Sequence, residues 1–352
     1  MKYVDSFAEL GTFIYSLSRV MCYNYSGHVT ALRLPTPLPD ESCLEGVIPH
    51  EIGNLSKLTY LNLNIQYDPY SMRVQKLRWL SQLTLLKELD LGGIDLSLTT
   101  NNWLSIVNKL PQLQVLRLDS CKLSLNLPSS LSYINSSTTL DTITLSGNNL
   151  NDTSIFEWLS NLSGFETSLV YLDLSENSQL FGSNYQHIQN FFSKSYNYLT
   201  PISDLSDNQL WGSIPDKIGN LSYLRVLYIN DNQLNGSISQ AVGRLSMLEI
   251  LDLSSNSLKG VFTNIIHLSN LSKLSYLGLR YNRELVVNIS VNWVPPFQLQ
   301  RLFLSSCKVG PDFPMWLITQ KTLTSIDMSN ASISGKIPDS FFKSLSSKLG
   351  HY

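Results

Sequence analysis

Leucines alternate with polar residues in short stretches that recur along most of the chain. Residues 248–260 read L-x-x-L-x-L-x-x-N-x-L-x-G, and eleven starts of this frame lie 24 to 31 residues apart. Alternation gives a strand one buried and one open face, which predicts a short β-strand at each L-x-L, with an additional strand over residues 29–34. A degraded copy begins at Thr200, and the others begin at Leu58, Leu86, Leu113, Leu140, Leu169, Leu224, Leu248, Leu274, Leu299 and Leu323.

The second half of each copy is also patterned. Residues 46–49, 212–215 and 335–338 read G-x-I-P, which predicts a turn and a short second strand. Each copy can bury its leucines only against its neighbours. We therefore predict an α/β repeat fold, a leucine-rich-repeat right-handed solenoid. Its parallel β-sheet lines the concave face, and short strands and 3₁₀ turns form the convex side.

The ninth position of the frame is expected to lie where the chain turns out of the strand. A buried amide there can bond unpaired backbone groups and form a ladder with neighbouring copies. Cys121 and Cys307 occupy the same position, and we interpret them as small buried thiols rather than as a disulfide or a reactive site. The asparagines at this position are Asn148, Asn177, Asn208, Asn232, Asn256 and Asn282.

The frame also suggests the domain organisation. Residues 28–343 are predicted to form the solenoid of about 11 repeats. Residues 1–27 are expected to be an incomplete N-terminal cap or a truncated leader, because Asp5 and Glu9 interrupt the approach to their short apolar stretch. Residues 344–352 are expected to be the truncated start of a further repeat.

Composition excludes several functions. The formal net charge of −2 argues against a nucleic-acid partner, which needs a basic field. Five scattered histidines suggest no metal site, and no cofactor is expected. No nucleophile elbow, phosphate-binding glycine loop or kinase motif occurs, so we predict that the chain is not an enzyme. No apolar run reaches the roughly 18–20 residues that span a bilayer.

Asn-x-Ser/Thr sequons favour the secretory route and an extracellular location. They predict glycosylation at Asn24, Asn54, Asn135, Asn151, Asn161, Asn220, Asn235, Asn270, Asn288 and Asn330.

The combined motif L-x-x-L-x-L-x-x-N-x-L-x-G-x-I-P resembles the plant class of leucine-rich repeat. Residues 27–32 (GHVTAL) resemble the strand that ends the plant N-terminal cap, in which Cys22 would pair with an upstream cysteine that is missing here. Whether Cys22 and Cys43 are bonded stays open. Residues 77–81 (LRWLS), 293–299 (WVPPFQL) and 306–320 (SCKVGPDFPMWLITQ) are similar to plant receptor-like proteins of the ethylene-inducing-xylanase receptor group.

The resemblance implies a fragment of the ligand-recognition ectodomain of a plant cell-surface receptor. Such a receptor would act in defence or developmental signalling, bind a protein or peptide, and signal through a coreceptor kinase. A membrane anchor is expected in the full-length protein and is absent from this sequence. The alternative is a secreted inhibitor of a microbial cell-wall hydrolase, whereas the sequons disfavour an intracellular scaffold.

Solenoids of this kind bind through residues between the buried leucines of the concave face. The candidates there are polar or aromatic. The aspartates that recur in the strands, Asp90, Asp173, Asp252 and Asp327, are interpreted as general solubility and ladder residues instead. Residues 156–199 are interpreted as a poorly packed repeat and residues 293–297 as packing. The binding candidates are Arg117, Asp119, Tyr228, Asn230, Tyr276, Arg280, Tyr281, Arg301 and Phe303.

Overall fold

The computed structural model describes most of the predicted repeat region. The chain divides into two compact units, Met1–Leu180 and Phe181–Tyr352. The residues that the structure describes are 21–23, 29–33, 46–65, 69–99, 103–124, 140–151, 154–162, 169–181 and 201–346.

The first unit is built on a sheet of three-residue strands. In this sheet β2, β4, β6, β7, β8 and β9 run parallel in chain order, and β1 pairs antiparallel with β2. A second, two-stranded parallel sheet joins β3 to β5. The bounds are β1 Met21–Tyr23, β2 Ala31–Arg33, β3 Gly46–Val47, β4 Tyr60–Asn62, β5 Met72–Arg73, β6 Glu88–Asp90, β7 Val115–Arg117, β8 Thr142–Thr144 and β9 Tyr171–Asp173.

The second unit repeats this arrangement. Strands β10, β12, β14, β16, β18 and β19 run parallel in chain order, and β11, β13, β15 and β17 form a four-stranded sheet. The bounds are β10 Ile202–Asp204, β11 Trp211–Gly212, β12 Val226–Tyr228, β13 Gln233–Ser237, β14 Ile250–Asp252, β15 Ser257–Thr263, β16 Tyr276–Gly278, β17 Glu284–Asn288, β18 Arg301–Phe303 and β19 Ser325–Asp327.

Short helical turns connect the strands of the repeats, in line with the 3₁₀ turns of the predicted fold class. Two helices of the first unit and one of the second are α-helical: α1 Trp103–Val107, α2 Ser154–Asn161 and α3 Asp339–Ser346. Helix α3 crosses the predicted repeat boundary at residue 343, and the domain boundaries stay a prediction. The 3₁₀ turns are His50–Asn54, Leu77–Gln82, Ser97–Thr99, Asp216–Asn220, Gln240–Arg244 and Met315–Thr319, and Asn264–Leu268 is a π-helical turn.

The central residues of most main-sheet strands form the core. Leu89 pairs in register with Leu61 and Leu116, and all three side chains are fully buried. In the second unit Leu251 pairs with Leu227 and Leu277 and is likewise buried. The alternation that predicted the strands therefore also predicted which residues form the core.

The asparagine ladder is confirmed. The amide of Asn256 donates to the carbonyl oxygen of Ile229 at 2.9 Å, which lies one repeat earlier. Its side-chain oxygen accepts from the backbone nitrogen of Leu234, also at 2.9 Å. Asn256 also donates to the carbonyl oxygens of Leu253 and Ser254 in its own repeat, so it stabilises the turn and the stacking together.

Cys121 and Cys307 are free, buried thiols, as their ladder position predicted. The Cys307 sulfur donates to the carbonyl oxygen of Leu279 at 2.9 Å. Burial raises the pKa of the Cys307 thiol to about 11 and raises that of Cys121 well above its usual range. The side chain of Cys22 and all of Cys43 lie outside what the structure describes.

For two aromatic segments, the sequence predicts packing at residues 293–297 and a poorly packed repeat at residues 156–199. The Trp293 ring lies 5.8 Å from Phe297 and 6.3 Å from Trp316, which confirms a packing role for residues 293–297. Within residues 156–199, Phe156 is buried and Phe181 is 45% exposed. The other aromatics noted in that segment lie outside the described residues, namely Tyr185, Phe191, Phe192, Tyr196 and Tyr198.

Candidate ligand-binding faces of the sheets

Residues on either side of each buried leucine point to the solvent side of the sheet. Parallel register brings them into rows, with neighbours on adjacent strands about 4.8 Å apart. In one row of the second unit the residues are Asp204, Tyr228, Asp252, Gly278, Phe303 and Asp327. The row two residues earlier contains Ile202, Val226, Ile250, Tyr276, Arg301 and Ser325.

Six of the predicted binding residues lie together on this face. The ring centroids of Tyr276 and Phe303 are 5.5 Å apart. The guanidinium carbon of Arg280 lies 5.6 Å from the Phe303 ring and 5.7 Å from the Tyr281 ring. Arg301 stands beside Tyr276 in register. We call this group the aromatic–arginine cluster: Tyr228, Tyr276, Arg280, Tyr281, Arg301 and Phe303. Asn230, the other candidate of this unit, donates instead to Asp231 at 2.7 Å.

Asp252 orders the centre of the cluster. Its carboxylate accepts a hydrogen bond from the Tyr276 hydroxyl at 2.6 Å and one from the Ser254 backbone nitrogen at 3.0 Å. Burial and this carboxylate together raise the pKa of the Tyr276 phenol. Burial, with Asp204 and Asp252 nearby, also raises the pKa of Tyr228. Both phenols therefore stay protonated and can donate hydrogen bonds at any physiological pH.

Gly278 provides the space that the Asp252 carboxylate occupies. A Cβ atom at this position would lie 2.4 Å from Oδ1 of Asp252, far inside contact distance. The strand geometry of Gly278 is ordinary, so the glycine is required by close approach rather than by backbone conformation. Sequence reasoning missed Gly278 and gave Asp252 only a solubility and ladder role, since only the register places Gly278 between Asp252 and Phe303.

Tyr281 has an unusual backbone conformation for its residue type. The residue before each ladder position lies in the left-handed region, and this position is held elsewhere by small or polar residues. Only at Tyr281, with φ of 62°, is it aromatic among the described repeats, and its side chain is 49% exposed. Bulky residues are disfavoured at positive φ, and such strain is concentrated at functional sites. The corresponding residues are Gly93, Ser120, Gly147, Glu176, Asp207, Asp231, Ser255, Ser306 and Asn330.

The first unit presents a different, more polar face. Arg117 pairs with Glu88 at 2.6 Å, and Asp119 accepts from the Ser146 backbone nitrogen and hydroxyl at 3.0 and 2.9 Å. Both candidate residues line a hollow of about 670 Å³. The remaining lining is Pro69, Gly92, Gly93, Ser120, Thr142, Thr144, Ser146, Tyr171, Asp173 and Glu176. Because Arg117 and Asp119 are already satisfied within the protein, this hollow offers fewer free charges than the second unit's face.

The recurring strand aspartates, interpreted from the sequence as solubility and ladder residues, have a structural role in the turn after the strand. Asp90 and Asp252 are 4% and 6% exposed, so a general solubility role is wrong for them. Each accepts from the backbone nitrogen two residues later, Gly92 and Ser254 respectively, at 3.0 Å. Burial, the largest influence, raises the pKa of Asp90 despite this hydrogen bond. These residues hold the turn that leads from strand to ladder.

The predicted glycosylation sites fall into three groups. Asn54, Asn235, Asn270, Asn288 and Asn330 are exposed. Asn151 and Asn220 are half-buried, so a glycan there has less room. Asn24 and Asn135, together with the side chain of Asn161, lie outside what the structure describes.

Metal and membrane sites were sought in the same residues. Within the described ranges, no three or more His, Cys, Asp and Glu side chains are grouped as a metal site would require. None of the helices that the structure describes has the length and apolarity needed to cross a bilayer.

The repeated layers, the parallel sheets and the asparagine ladder define a leucine-rich-repeat protein. The Leucine Rich Repeat family model matches residues 112–134, 223–245 and 322–344. The chain is also similar to the leucine-rich-repeat ectodomain of the plant membrane receptor kinase GASSHO1/SCHENGEN3 from Arabidopsis thaliana. The TM-score is 0.63 at 21% identity, over 97% of this chain and 41% of that chain. The predicted fold class is confirmed.

Sequence similarity points to a narrower group of proteins within this fold. The chain is 30% identical over 448 residues to Receptor-like protein EIX1 of Solanum lycopersicum, covering 95% of this chain and 41% of that protein. It is 49% identical over 83 residues to Receptor-like protein EIX2 of the same organism, covering 24% of this chain and 8% of that protein. The resemblance to plant leucine-rich-repeat receptor-like proteins is therefore confirmed. The chain spans less than half the length of these relatives.

Proposed function

We propose that this chain is a ligand-recognition part of the ectodomain of a plant cell-surface receptor-like protein and has no enzymatic activity. The observation that carries the proposal is the aromatic–arginine cluster. It places three half-buried rings, the exposed ring of Tyr281 and two guanidinium groups on a sheet whose other side is a buried core. Aromatic and arginine side chains on a preorganised surface are typical of protein-binding sites.

Similarity to receptor-like proteins over 95% of the chain supports the receptor context. GASSHO1/SCHENGEN3, which has the same fold, was crystallised in complex with CASPARIAN STRIP INTEGRITY FACTOR 2. For this chain we propose a protein or peptide ligand and signalling in defence or development through a coreceptor kinase. The exposed sequons support a cell-surface location, with a membrane anchor in the full-length protein.

The proposal can be tested with the chain expressed in plant cells and secreted with an affinity tag. Proteins and peptides from plant and microbial culture fluids would be captured and quantified by mass spectrometry. The comparison is between the native chain, a Tyr228→Ser/Phe303→Ser variant and a Trp211→Ser control. Trp211 is an exposed aromatic residue of β11, in the other sheet of the same unit. We expect a ligand that the native chain and the control retain and the cluster variant loses.

Two results would contradict the proposal. Equal capture by the cluster variant would exclude this face as the recognition site. Absence of any mass decrease after glycosidase treatment of the plant-expressed chain would contradict the extracellular location. Inhibition of a microbial pectinase by the native chain would favour the alternative of a secreted inhibitor.

A further inference from the structure

The charged groups on the second unit's face differ in whether the protein itself satisfies them. Its carboxylates are satisfied. Asp204 accepts from the Ser206 backbone nitrogen at 3.0 Å, and Asp327 accepts from that of Ser329 at 2.9 Å. Asp252 accepts hydrogen bonds from the Ser254 backbone nitrogen and from the Tyr276 hydroxyl. A cationic ligand would therefore have to compete with existing hydrogen bonds at every carboxylate of this row.

The two arginines of the cluster are not satisfied in this way. Within the described ranges, neither Arg280 nor Arg301 forms an ion pair, whereas Arg225 of the same unit binds Glu249 through two nitrogens at 2.8 and 3.0 Å. The Nε atom of Arg280 is buried and has no hydrogen-bond partner there either. The guanidinium therefore has no partner at Nε within the described residues that a ligand would have to displace.

Asp327 acts electrostatically on the Arg280 guanidinium without forming an ion pair with it among the described residues, and two aromatic rings hold this guanidinium in place. The Phe303 and Tyr281 rings lie within 6 Å of it, which is the range of cation–π attraction. One of these rings belongs to the strained residue Tyr281. The strained backbone and the unpaired guanidinium are thus adjacent, which is the arrangement expected of a preorganised binding group.

We propose that Arg280 and Arg301 bind carboxylate groups of an acidic, extended polypeptide segment that lies across Phe303. The inference rests on the proposed function and names the chemistry of its ligand. Arg301 pairs in register with Tyr276, and Arg280 follows Tyr276 by four residues, in the turn after the strand, so the two backbone positions are at most roughly 13 Å apart along the strand direction. Acidic residues about four positions apart in an extended ligand would reach both guanidiniums, with an apolar side chain between them on Phe303.

A display experiment tests this chemistry with random peptides as the probe. A random dodecapeptide library would be selected on the native chain, on an Arg280→Gln/Arg301→Gln variant and on an Arg225→Gln/Arg244→Gln control. The control removes the same number of positive charges from the same unit. Arg225 is ion-paired with Glu249, and Arg244 lies in the 3₁₀ turn Gln240–Arg244. We expect the native chain and the control to enrich peptides rich in Asp and Glu, and the cluster variant to lose this enrichment.

Selected peptides would then be synthesised and their affinities measured. Binding should weaken roughly tenfold or more in the cluster variant. Binding by the native chain should also weaken as the salt concentration is raised. Peptides with free and amidated C-termini distinguish a terminal carboxylate from side-chain carboxylates, because only the first source is lost on amidation. If the double variant fails to fold, the single variants Arg280→Gln and Arg301→Gln and the salt dependence of the native chain provide the same test.

The outcomes separate this inference from the proposed function. Enriched neutral or basic peptides that a Phe303→Ser variant no longer binds would overturn the carboxylate inference and leave recognition by this face intact. Acidic enrichment that persists in Arg280→Gln/Arg301→Gln would also overturn it. The absence of any enriched peptide would count against both.

Discussion

The hydroxyl of Tyr276 donates a 2.6 Å hydrogen bond to the carboxylate of Asp252, one strand away and one row across. This bond joins two repeats at the centre of the aromatic–arginine cluster. Sequence alone assigned the two residues different roles, one in binding and one in solubility. The bond makes them a single element of the site.

Asp252→Asn should lower the pKa of the Tyr276 phenol. Burial and the Asp252 carboxylate both raise that pKa above its ordinary value of 10.0, and the substitution removes the negative charge but leaves burial in place. Carbon-13 labelling of the tyrosine rings and titration by NMR would follow the phenol, with Tyr276→Phe to assign it. An unchanged midpoint in Asp252→Asn would contradict the role of the carboxylate.

The same shift has a consequence for stability. Because the folded-state pKa of Tyr276 is above its unfolded value, the stabilising contribution is fully present below pH 10.0 and is lost as pH rises further. Tyr276→Phe should remove this part of the alkaline dependence, as measured by urea unfolding at several pH values.

Tyr281→Asn should stabilise the fold and weaken ligand binding. Asparagine tolerates positive φ better than tyrosine, so the free energy of unfolding should rise by about 1 kcal/mol. Urea unfolding would measure it, with Ser255→Asn as a control at the same position one repeat earlier. A decrease in stability of Tyr281→Asn would show that contacts of the ring outweigh the strain.

Asn256→Ala should destabilise the second unit. It leaves the Leu234 backbone nitrogen and the Ile229 carbonyl oxygen without their side-chain partners. The expected loss is about 3 kcal/mol in the free energy of unfolding. Asn256→Cys should cost less, because a thiol can still donate, as Cys307 does to Leu279. The outward-facing Asn230→Ala is the control, and equal losses for Asn230→Ala and Asn256→Ala would refute the ladder's contribution.

Cys121 and Cys307 should not react with thiol reagents in the native protein. Both side chains are at most 1% exposed, and the pKa of Cys307 is raised to about 11, so the reactive thiolate is scarce near neutral pH. Alkylation with and without denaturant, mapped by mass spectrometry, checks this. A cysteine introduced at exposed Asn235 should react readily under both conditions. Rapid native labelling of Cys307 would be inconsistent with its burial.

Leu251→Asp should prevent folding of the second unit, whereas Ile250→Asp should be tolerated. Leu251 is fully buried between Leu227 and Leu277, and a carboxylate there would have no partner. Ile250 lies next to it on the same strand but is only half-buried, on the solvent side. Circular dichroism and thermal unfolding of the two variants would compare them. Similar transitions would contradict the assignment of the two faces.

The sequence predicted the scaffold well, because the scaffold depends on local patterns. Alternation of two residues decides which side chain of a strand is buried, as at Leu251 and Ile250. The ladder residue is always the ninth of its repeat, so Asn256 and Cys307 could be assigned to the ladder from the sequence alone. The antiparallel strand β1 had no such pattern and was not predicted.

The tertiary structure decided which outward residues form a site. Arg117 and Arg280 occupy comparable outward positions, yet Arg117 is paired with Glu88 and Arg280 has no ion pair in the described ranges. That difference depends on which residue the register places one strand away, and repeats of unequal length make this hard to infer from sequence. The sequence by itself therefore determined the repeat, its core and its ladder. Only packing between repeats determined which charges, rings and strained backbone remain available to a ligand.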